Sequence, residues 1–199
     1  TAAYTRQLSD QATNARITLV SGCELSCLWQ HRSIHVVGLN IDLTHPVFVQ
    51  AMGKQAQARD RRAEKITAVL RRMGFSLELA QIQRIAGDGV VGRPHFAEYL
   101  VRTNQMPSMT TVFKRVLGAG KPGDIKAEWP ALETVVGWIC AAGGIAVVAH
   151  PLKYKMTPTK LRSLLTTFVE LGGQGMEVIT GYQEPNQTRT LADLAQRFE

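Results

Sequence analysis

The sequence lacks several features that define large classes of proteins. Among its 199 residues, no apolar run approaches the ~18 residues that a membrane-spanning helix needs, and no signal peptide is visible at the start shown. It contains no P-loop, no G-x-S-x-G nucleophile elbow and no dinucleotide-binding glycine motif. Its three cysteines, Cys23, Cys27 and Cys140, form no disulfide framework, which favours a reducing compartment, most simply the cytoplasm.

The charge balance of the chain is strongly basic. Hydrophobic residues make up 45% and charged residues 20%, as in an ordinary globular domain, but the formal net charge is +7. The excess is concentrated at residues 54–72, where the basic residues greatly outnumber the two acidic ones. A basic segment of this kind indicates an anionic partner such as a nucleotide or nucleic acid.

The stretch GCELSCLWQHRSIHVVGLNID, residues 22–42, is unusually rich in metal-binding side chains. Glu24 ends the apolar run ITLVSGCEL and His35 opens the run IHVVGL, with the polar turn WQHRS between them, so the pattern predicts a β-hairpin. Glu24 and His35 could then face one another at one end of a sheet. A carboxylate and an imidazole in that arrangement suit a borderline divalent cation such as zinc, manganese or iron.

A third candidate ligand lies far along the chain. The run GGIAVVAHP predicts a buried parallel strand that ends at His150, at the edge where α/β proteins place their chemistry. Each histidine alone could instead be a hydrogen-bonded structural residue. The combination of Glu24, His35 and His150 favours a metal site, whereas His45, before a proline, is interpreted as a turn residue.

The spacing Cys23-x3-Cys27-x3-His31-x3-His35 suggests an alternative, a structural zinc site. Side chains alternate along a strand, so Cys23 and Glu24 must point to opposite faces, and the set lacks the long spacer of zinc fingers. We therefore favour the site at Glu24.

The pattern of apolar residues predicts a long helix over residues 47–73, with a stripe at Ile66, Val69, Leu70 and Met73. Continued backwards, the stripe reaches Arg62 and Arg59. An inward-facing arginine needs an anion, an internal salt bridge or a route for its head to reach water.

A second helix starts within GRPHFAEYLV and places His95 in its first turn, beside an arginine, which makes a natural anion site. Short helices are predicted at 77–86 and 109–118. After residue 128 the pattern alternates between helix and strand, as in a parallel sheet. The predicted elements there are LETVVGWICAAGG (helix), IAVVAH (strand), 158–171 (helix), GGQGMEVIT (strand) and EPNQTRTLADLAQRF (helix). Residues 1–14 are interpreted as the end of a helix, and Glu177 as structural.

Four segments together resemble the PHP (polymerase and histidinol phosphatase) family, in the branch of nucleoside 3',5'-bisphosphate phosphatases and 5'-3' exoribonucleases. The segments are GCELSCLWQHRSIHVVGLNID, GRPHFAEYLV, the GKPG stretch with its following tryptophan, and AGGIAVVAHPLKY. The resemblance implies an α/β fold, part of a distorted (β/α)7 barrel. Residues 1–50 and 129–199 are expected to form the barrel, and residues 51–128 an all-helical insertion that caps the substrate.

The resemblance also implies a cluster of two or three divalent metal ions, with manganese expected and zinc or iron as alternatives. Glu24, His35 and His150 are then the metal ligands and catalytic residues, with Glu24 bridging two ions. Arg59, Arg62 and His95 are expected to bind substrate phosphate.

The implied activity is hydrolysis of phosphate esters in a nucleotide or short RNA, without a membrane or an obligate protein partner. An alternative from another class is a nucleic-acid-binding or inactive PHP-like domain whose metal cluster never fills.

The sequence also departs from the family pattern. The H-x-H, T-D-H-D-type and G-S-D-x-H motifs of the family are absent, and Leu152 and Lys153 stand where the family has Gly-Arg. We therefore expect an internal fragment with an incomplete, weakly loaded cluster and little activity by itself. Lys153 keeps the charge of arginine but loses its two-pronged contact with phosphate.

Overall fold

The structure is a computed structural model that describes residues 18–126 and 128–198. The helix end predicted at residues 1–14 lies outside the described residues. The chain divides into two compact units. One comprises the residues up to Met52 and from Trp129 onward, which we call the sheet unit, and the other comprises Gly53–Glu128, which we call the helical unit. That the helical unit is a substrate-capping insertion stays a prediction.

The sheet unit contains a four-stranded mixed sheet in the order β1-β2-β3-β4. The strands are β1 (Gly22–Trp29), β2 (Arg32–Leu39), β3 (Ile145–Val148) and β4 (Gly175–Met176). β2 pairs antiparallel with both β1 and β3, and β4 runs parallel to β3. The predicted parallel relation therefore holds for β3 and β4, but not for β2 and β3.

The hairpin is longer than the sequence suggested. Glu24 is the third residue of β1 and not its end, and β2 already begins at Arg32. The turn consists of Gln30 and His31 alone, both with positive φ, 45° and 63°. Two left-handed residues match the right-handed twist of the flanking strands, so pairing continues up to Trp29 and Arg32.

One face of the hairpin forms the core of the sheet unit. Leu25, Cys27, Ile34 and Val36 alternate along the two strands and are at most 1% exposed. They pack with buried residues of two helices, α5 (Leu132–Ala141) and α6 (Pro158–Glu170). The opposite face is left to carry Glu24 and His35.

The predicted strand GGQGMEVIT is reduced to β4, because only Gly175 and Met176 pair with β3. A last helix, α7 (Pro185–Gln196), follows. None of the described helices is long and apolar enough to cross a membrane.

The helical unit is built from four helices and a π-helical turn. They are α1 (Pro46–Arg72, which begins in the sheet unit), α2 (Leu79–Ala86), α3 (Arg93–Arg102), α4 (Met109–Val112) and the turn Phe113–Leu117. Its core comprises Ile66, Leu70, Ile82, Phe96, Leu100 and Val112. The predicted stripe on α1 is wrong at Met73, which lies past the end of the helix and is 42% exposed.

Candidate metal centre

The three predicted ligands, Glu24, His35 and His150, meet on the solvent-facing side of the sheet. Glu24 Oε1 forms an ion pair with His35 Nδ1 and lies 3.3 Å from His150 Nε2, and the two histidine nitrogens are 3.2 Å apart. Among the described residues, this is the one group of three or more His, Cys, Asp or Glu side chains whose ligand atoms all lie within 4.8 Å.

The hairpin register brings Glu24 and His35 together. Glu24 lies opposite Val37, so His35 is its diagonal neighbour on the same face, within reach of long side chains. His150 arrives from the turn after β3, with φ 31° and ψ 59°. A left-handed backbone is uncommon for a residue other than glycine, and at a functional site it indicates that neighbouring groups hold the conformation.

The charges of this site favour an ionised carboxylate. Burial raises the pKa of Glu24, but hydrogen bonds and charge interactions with His35 and then His150 outweigh it and lower the pKa overall. The Glu24 side chain is 47% exposed and that of His150 only 13%, so the site opens to solvent on the carboxylate side. A substrate or water can therefore reach the ligands.

The three side chains fit a divalent cation. Two atoms bound at ~2.0–2.1 Å to one tetrahedral ion lie ~3.3 Å apart, which agrees with the 3.2 and 3.3 Å of the two pairs that include His150 Nε2. The third pair, Glu24 Oε1 and His35 Nδ1, is hydrogen-bonded at a shorter separation. Two imidazole nitrogens and one carboxylate oxygen are ligands that zinc, manganese and iron all accept. The geometry thus permits a metal but does not select one.

Two residues that the sequence analysis did not assign to the site support it. The backbone N–H of His150 donates to Glu177 Oε2 at 2.6 Å, and the Tyr154 hydroxyl lies 2.7 Å from the Ala149 carbonyl. The Tyr154 ring also packs edge-on against the His150 ring. Burial raises the pKa of Tyr154, so its hydroxyl keeps its proton and can donate. The signal in the sequence was weak, a tyrosine four residues after the histidine.

The alternative cysteine site is not formed. Cys27 is fully buried on the core face of the hairpin, and Glu24 lies on the other face. The Cys27 Sγ lies 3.4 Å from the Ile34 carbonyl. Burial raises the pKa of Cys23 to about 11 and that of Cys27 to about 12. Both thiols therefore stay protonated, whereas zinc binds thiolates.

The predicted arginines lie in the helical unit. Arg59 and Arg62 line a cavity of about 100 Å3 together with Val90, Val91 and Gly92. Arg62 is half-buried and its Nε donates to the Ile125 carbonyl at 2.8 Å. Burial lowers the pKa of Arg62, and so do the charges of Arg93 and Arg59, whereas Asp124 opposes this effect.

This cavity is electrostatically suited to an anion. Within the described ranges, no carboxylate lies within ion-pair distance of Arg62, and Asp124 pairs instead with Arg93 at 2.9 Å. An anion in this cavity would interact favourably with the guanidinium group of Arg62.

His95 lies at the start of α3, as predicted, but one of its two ring nitrogens already has a hydrogen-bond partner within the protein. Its Nδ1 accepts the Gly92 N–H at 3.0 Å, which caps the helix. No partner of Nε2 is present in the part of the chain that the structure describes. His95 can thus offer one nitrogen to a ligand near Gly92.

Comparison with known proteins places the chain in a family. It is 40% identical over 188 residues to a 5'-3' exoribonuclease of Haemophilus influenzae, covering 94% of this chain and 68% of that protein. It is 39% identical over 181 residues to a 3',5'-nucleoside bisphosphate phosphatase of Chromobacterium violaceum, covering 85% of this chain and 60% of that protein. The chain belongs to the PHP-like phosphoesterases. The family expected from the sequence is confirmed.

Solved structures agree with this assignment. An amidohydrolase of Chromobacterium violaceum with bound sulfate and no metal superposes with a TM-score of 0.84 at 34% identity, covering 96% of this chain and 68% of that one. A Bifidobacterium adolescentis protein named as a metal-dependent phosphoesterase gives 0.79 at 21% identity, covering 97% and 68%, and shows the shared fold. No protein-family model matches the chain. The chain spans between 60 and 68% of the length of the curated relatives it matches.

Proposed function

We propose that the protein is a metal-dependent phosphoesterase that hydrolyses phosphate esters of nucleotides. The substrate class is a nucleoside 3',5'-bisphosphate or a 5'-phosphorylated short RNA, in line with the names of its relatives. The convergence of Glu24, His35 and His150 carries this proposal, because one carboxylate and two imidazoles, all suited to one cation, meet at a solvent-accessible site. The sheet is then part of a (β/α)7 barrel, to which further strands and ligands contribute.

In the proposed mechanism, Glu24, His35 and His150 would hold divalent metal, with manganese as the expected ion. Such an ion would polarise a phosphoryl oxygen and lower the pKa of a bound water. The Glu24 side chain is 47% exposed, so its carboxylate could also serve a second ion. The low exposure of His150 keeps one side of the site dry, which strengthens the interaction of these ligands with charge.

Arg59, Arg62 and His95 bind a second phosphate of the substrate in this proposal. Arg59 and Arg62 line one cavity, and His95 Nε2 is available at the start of α3. A helix N-terminus adds a favourable electrostatic contribution for an anion. The sulfate bound by the Chromobacterium violaceum amidohydrolase shows that this relative binds a tetrahedral dianion.

The test measures release of inorganic phosphate from adenosine 3',5'-bisphosphate, and release of a nucleoside 5'-monophosphate from a 5'-phosphorylated trinucleotide, by the full-length protein. Activity should disappear after chelation and return with added Mn2+. Glu24→Gln, which removes the charge but keeps the shape, should lose metal and activity together. Glu184→Gln, a surface glutamate exchange on the same unit, is the matched control and should leave both unchanged.

Metal content separates this proposal from the alternative of a nucleic-acid-binding domain with an unfilled cluster. Stoichiometric Mn2+ in the full-length protein, lost in Glu24→Gln, supports the enzyme. RNA binding without metal, together with unchanged binding after Glu24→Gln, would support the alternative and overturn the proposal.

A further inference from the structure

The ladder of hydrogen bonds between β2 and β3 ends in an unusual way. The last paired residues are Val36 and Val148, and beyond them the Ala149 N–H donates to the His35 carbonyl at 3.0 Å. In an antiparallel ladder, two residues that face each other in this way exchange both bonds. The second bond would run from the His35 N–H to the Ala149 carbonyl.

The Tyr154 hydroxyl lies between these two groups and replaces that second bond. It accepts the His35 N–H at 2.9 Å and lies 2.7 Å from the Ala149 carbonyl, to which it donates. Its distance to the His35 carbonyl is longer, 3.3 Å, and a hydroxyl has a single proton. The side chain is therefore inserted between the strands as a bridge.

The Tyr154 hydroxyl joins His35 to Ala149, and both residues bear on the proposed metal site. His35 is itself a ligand, and Ala149 immediately precedes His150, whose left-handed backbone turns the chain out of the strand. The short 3-10 helix Pro151–Tyr154 then returns the tyrosine to the ladder. If His35 and Ala149 exchanged both hydrogen bonds directly, the ends of β2 and β3 would lie closer together than they do with the hydroxyl between them.

The same tyrosine also contacts the imidazole of His150. The ring centroids are 5.4 Å apart at an interplanar angle of 61°, an edge-on arrangement. On the other side of the turn, Glu177 accepts the His150 N–H. His150 is thus restrained through its ring by Tyr154 and through its backbone by Glu177.

We infer that Tyr154 is a positioning residue for the metal centre, whose hydroxyl replaces the terminal ladder bond and thereby sets the separation of His35 and His150. The inference rests on the proposed function in so far as the ligands serve a metal. Groups that orient metal ligands without touching the ion typically contribute 10- to 100-fold to metal affinity. Tyr154 differs from the usual case because it acts through the backbone of both ligand segments.

The test compares Tyr154→Phe, which deletes the hydroxyl and keeps the ring, with Tyr182→Phe, which makes the same change at a tyrosine of the same unit that is 97% exposed. Mn2+ is titrated into each protein and the unbound ion is followed by electron paramagnetic resonance. We expect Tyr154→Phe to weaken Mn2+ binding by roughly 10- to 100-fold and Tyr182→Phe to leave it unchanged.

A second measurement needs no metal. Amide hydrogen exchange at His35 should be faster in Tyr154→Phe, whereas exchange at Val37, which pairs directly with Val147, should be unchanged. In the unsubstituted protein, NMR should also detect a slowly exchanging tyrosine hydroxyl proton close to the His35 amide. This last observation decides the geometry even if Tyr154→Phe does not fold.

The outcomes are distinguishable. Mn2+ affinity that is equal in Tyr154→Phe and Tyr182→Phe would overturn the positioning role, even if Tyr154→Phe were less stable. Absence of saturable Mn2+ binding by the unsubstituted full-length protein would overturn the metal-dependent function. His35 exchange and the hydroxyl proton would then decide whether the bridge exists.

Discussion

The sheet unit and the helical unit hold their polar side chains in different ways. In the sheet unit, strand register sets the position of Glu24 and His35, and a network of backbone hydrogen bonds fixes His150. In the helical unit, Arg62 and Arg93 project from two different helices and donate to the carbonyls of Ile125 and Leu117, respectively. Backbone-defined geometry suits the strict distances of metal coordination, whereas arginines on flexible stems suit a phosphate that can be approached from several directions.

The two units also differ in how charge is compensated. At the candidate metal centre, one carboxylate lies against two imidazoles, and the three side chains hydrogen-bond to one another. In the helical unit, Arg59, Arg62 and Arg93 lie near one another and Asp124 is the carboxylate that acts on Arg62. The first arrangement suits a cation, whereas the second suits an anion.

The largest expected effect is a loss of unfolding free energy, and it tests whether the two units unfold independently. Phe96 in the helical unit and Phe168 in the sheet unit are both at most 1% exposed, so each alanine exchange should cost about 3–5 kcal/mol. All three tryptophans, Trp29, Trp129 and Trp138, belong to the sheet unit. Urea unfolding followed by tryptophan fluorescence should therefore respond to Phe168→Ala and much less to Phe96→Ala.

Hydrogen exchange of α3 supplies the reciprocal measurement, because it should accelerate in Phe96→Ala and not in Phe168→Ala. If both variants shift both probes equally, the chain unfolds as one cooperative body. The comparison of two units would then apply to their chemistry and not to their stability.

The next largest effect concerns substrate phosphate. A charge-assisted hydrogen bond is worth ~1.5–3 kcal/mol, so Arg62→Ala should raise the KM of the full-length protein for a nucleoside 3',5'-bisphosphate roughly ten- to a hundredfold. The KM for a simple aryl phosphate should change far less. Arg61→Ala is the matched control, because it removes the same charge from an exposed neighbouring position. Equal changes for both substrates would show that Arg62 serves the fold or the reacting phosphate.

Elements with a long periodic pattern were predictable from the sequence. The helix predicted at 47–73 is Pro46–Arg72, and the hairpin with Glu24 and His35 on one face is present. In both cases local information was sufficient, because helix periodicity and strand alternation determine which side chains share a face. The extra length of the hairpin escaped prediction because Gln30 and His31 are not the usual residues of a turn with positive φ.

The supports of the site could not be predicted in this way. Tyr154 bridges His35 across 119 positions of sequence, and Glu177 reaches His150 across 27. Neither contact leaves a periodic signal, since each depends on which strands become neighbours. The same applies in the helical unit to Arg93 and Asp124, which are 31 residues apart. Sequence patterns thus indicated the candidate ligands, whereas the groups that position them depend on tertiary structure.

The smallest expected effect is a pH dependence confined to the helical unit. Asp124 is 8% exposed, and its carboxylate accepts from Arg93, Lys126 and the Gly120 N–H. Burial raises the pKa of Asp124, but the hydrogen bonds and positive charges outweigh it and hold the pKa below its usual range. In the unfolded chain an aspartate titrates near ~3.9, so stability from Asp124 is present above that pH and is lost as the pH falls through the folded pKa. Hydrogen exchange of α3, measured from pH 6 to 3, should therefore show a loss of protection at low pH that is smaller in Asp124→Asn, which cannot titrate. Parallel pH profiles would mean that other carboxyl groups control acid unfolding of this unit and that Asp124 only joins Arg93 to its loop.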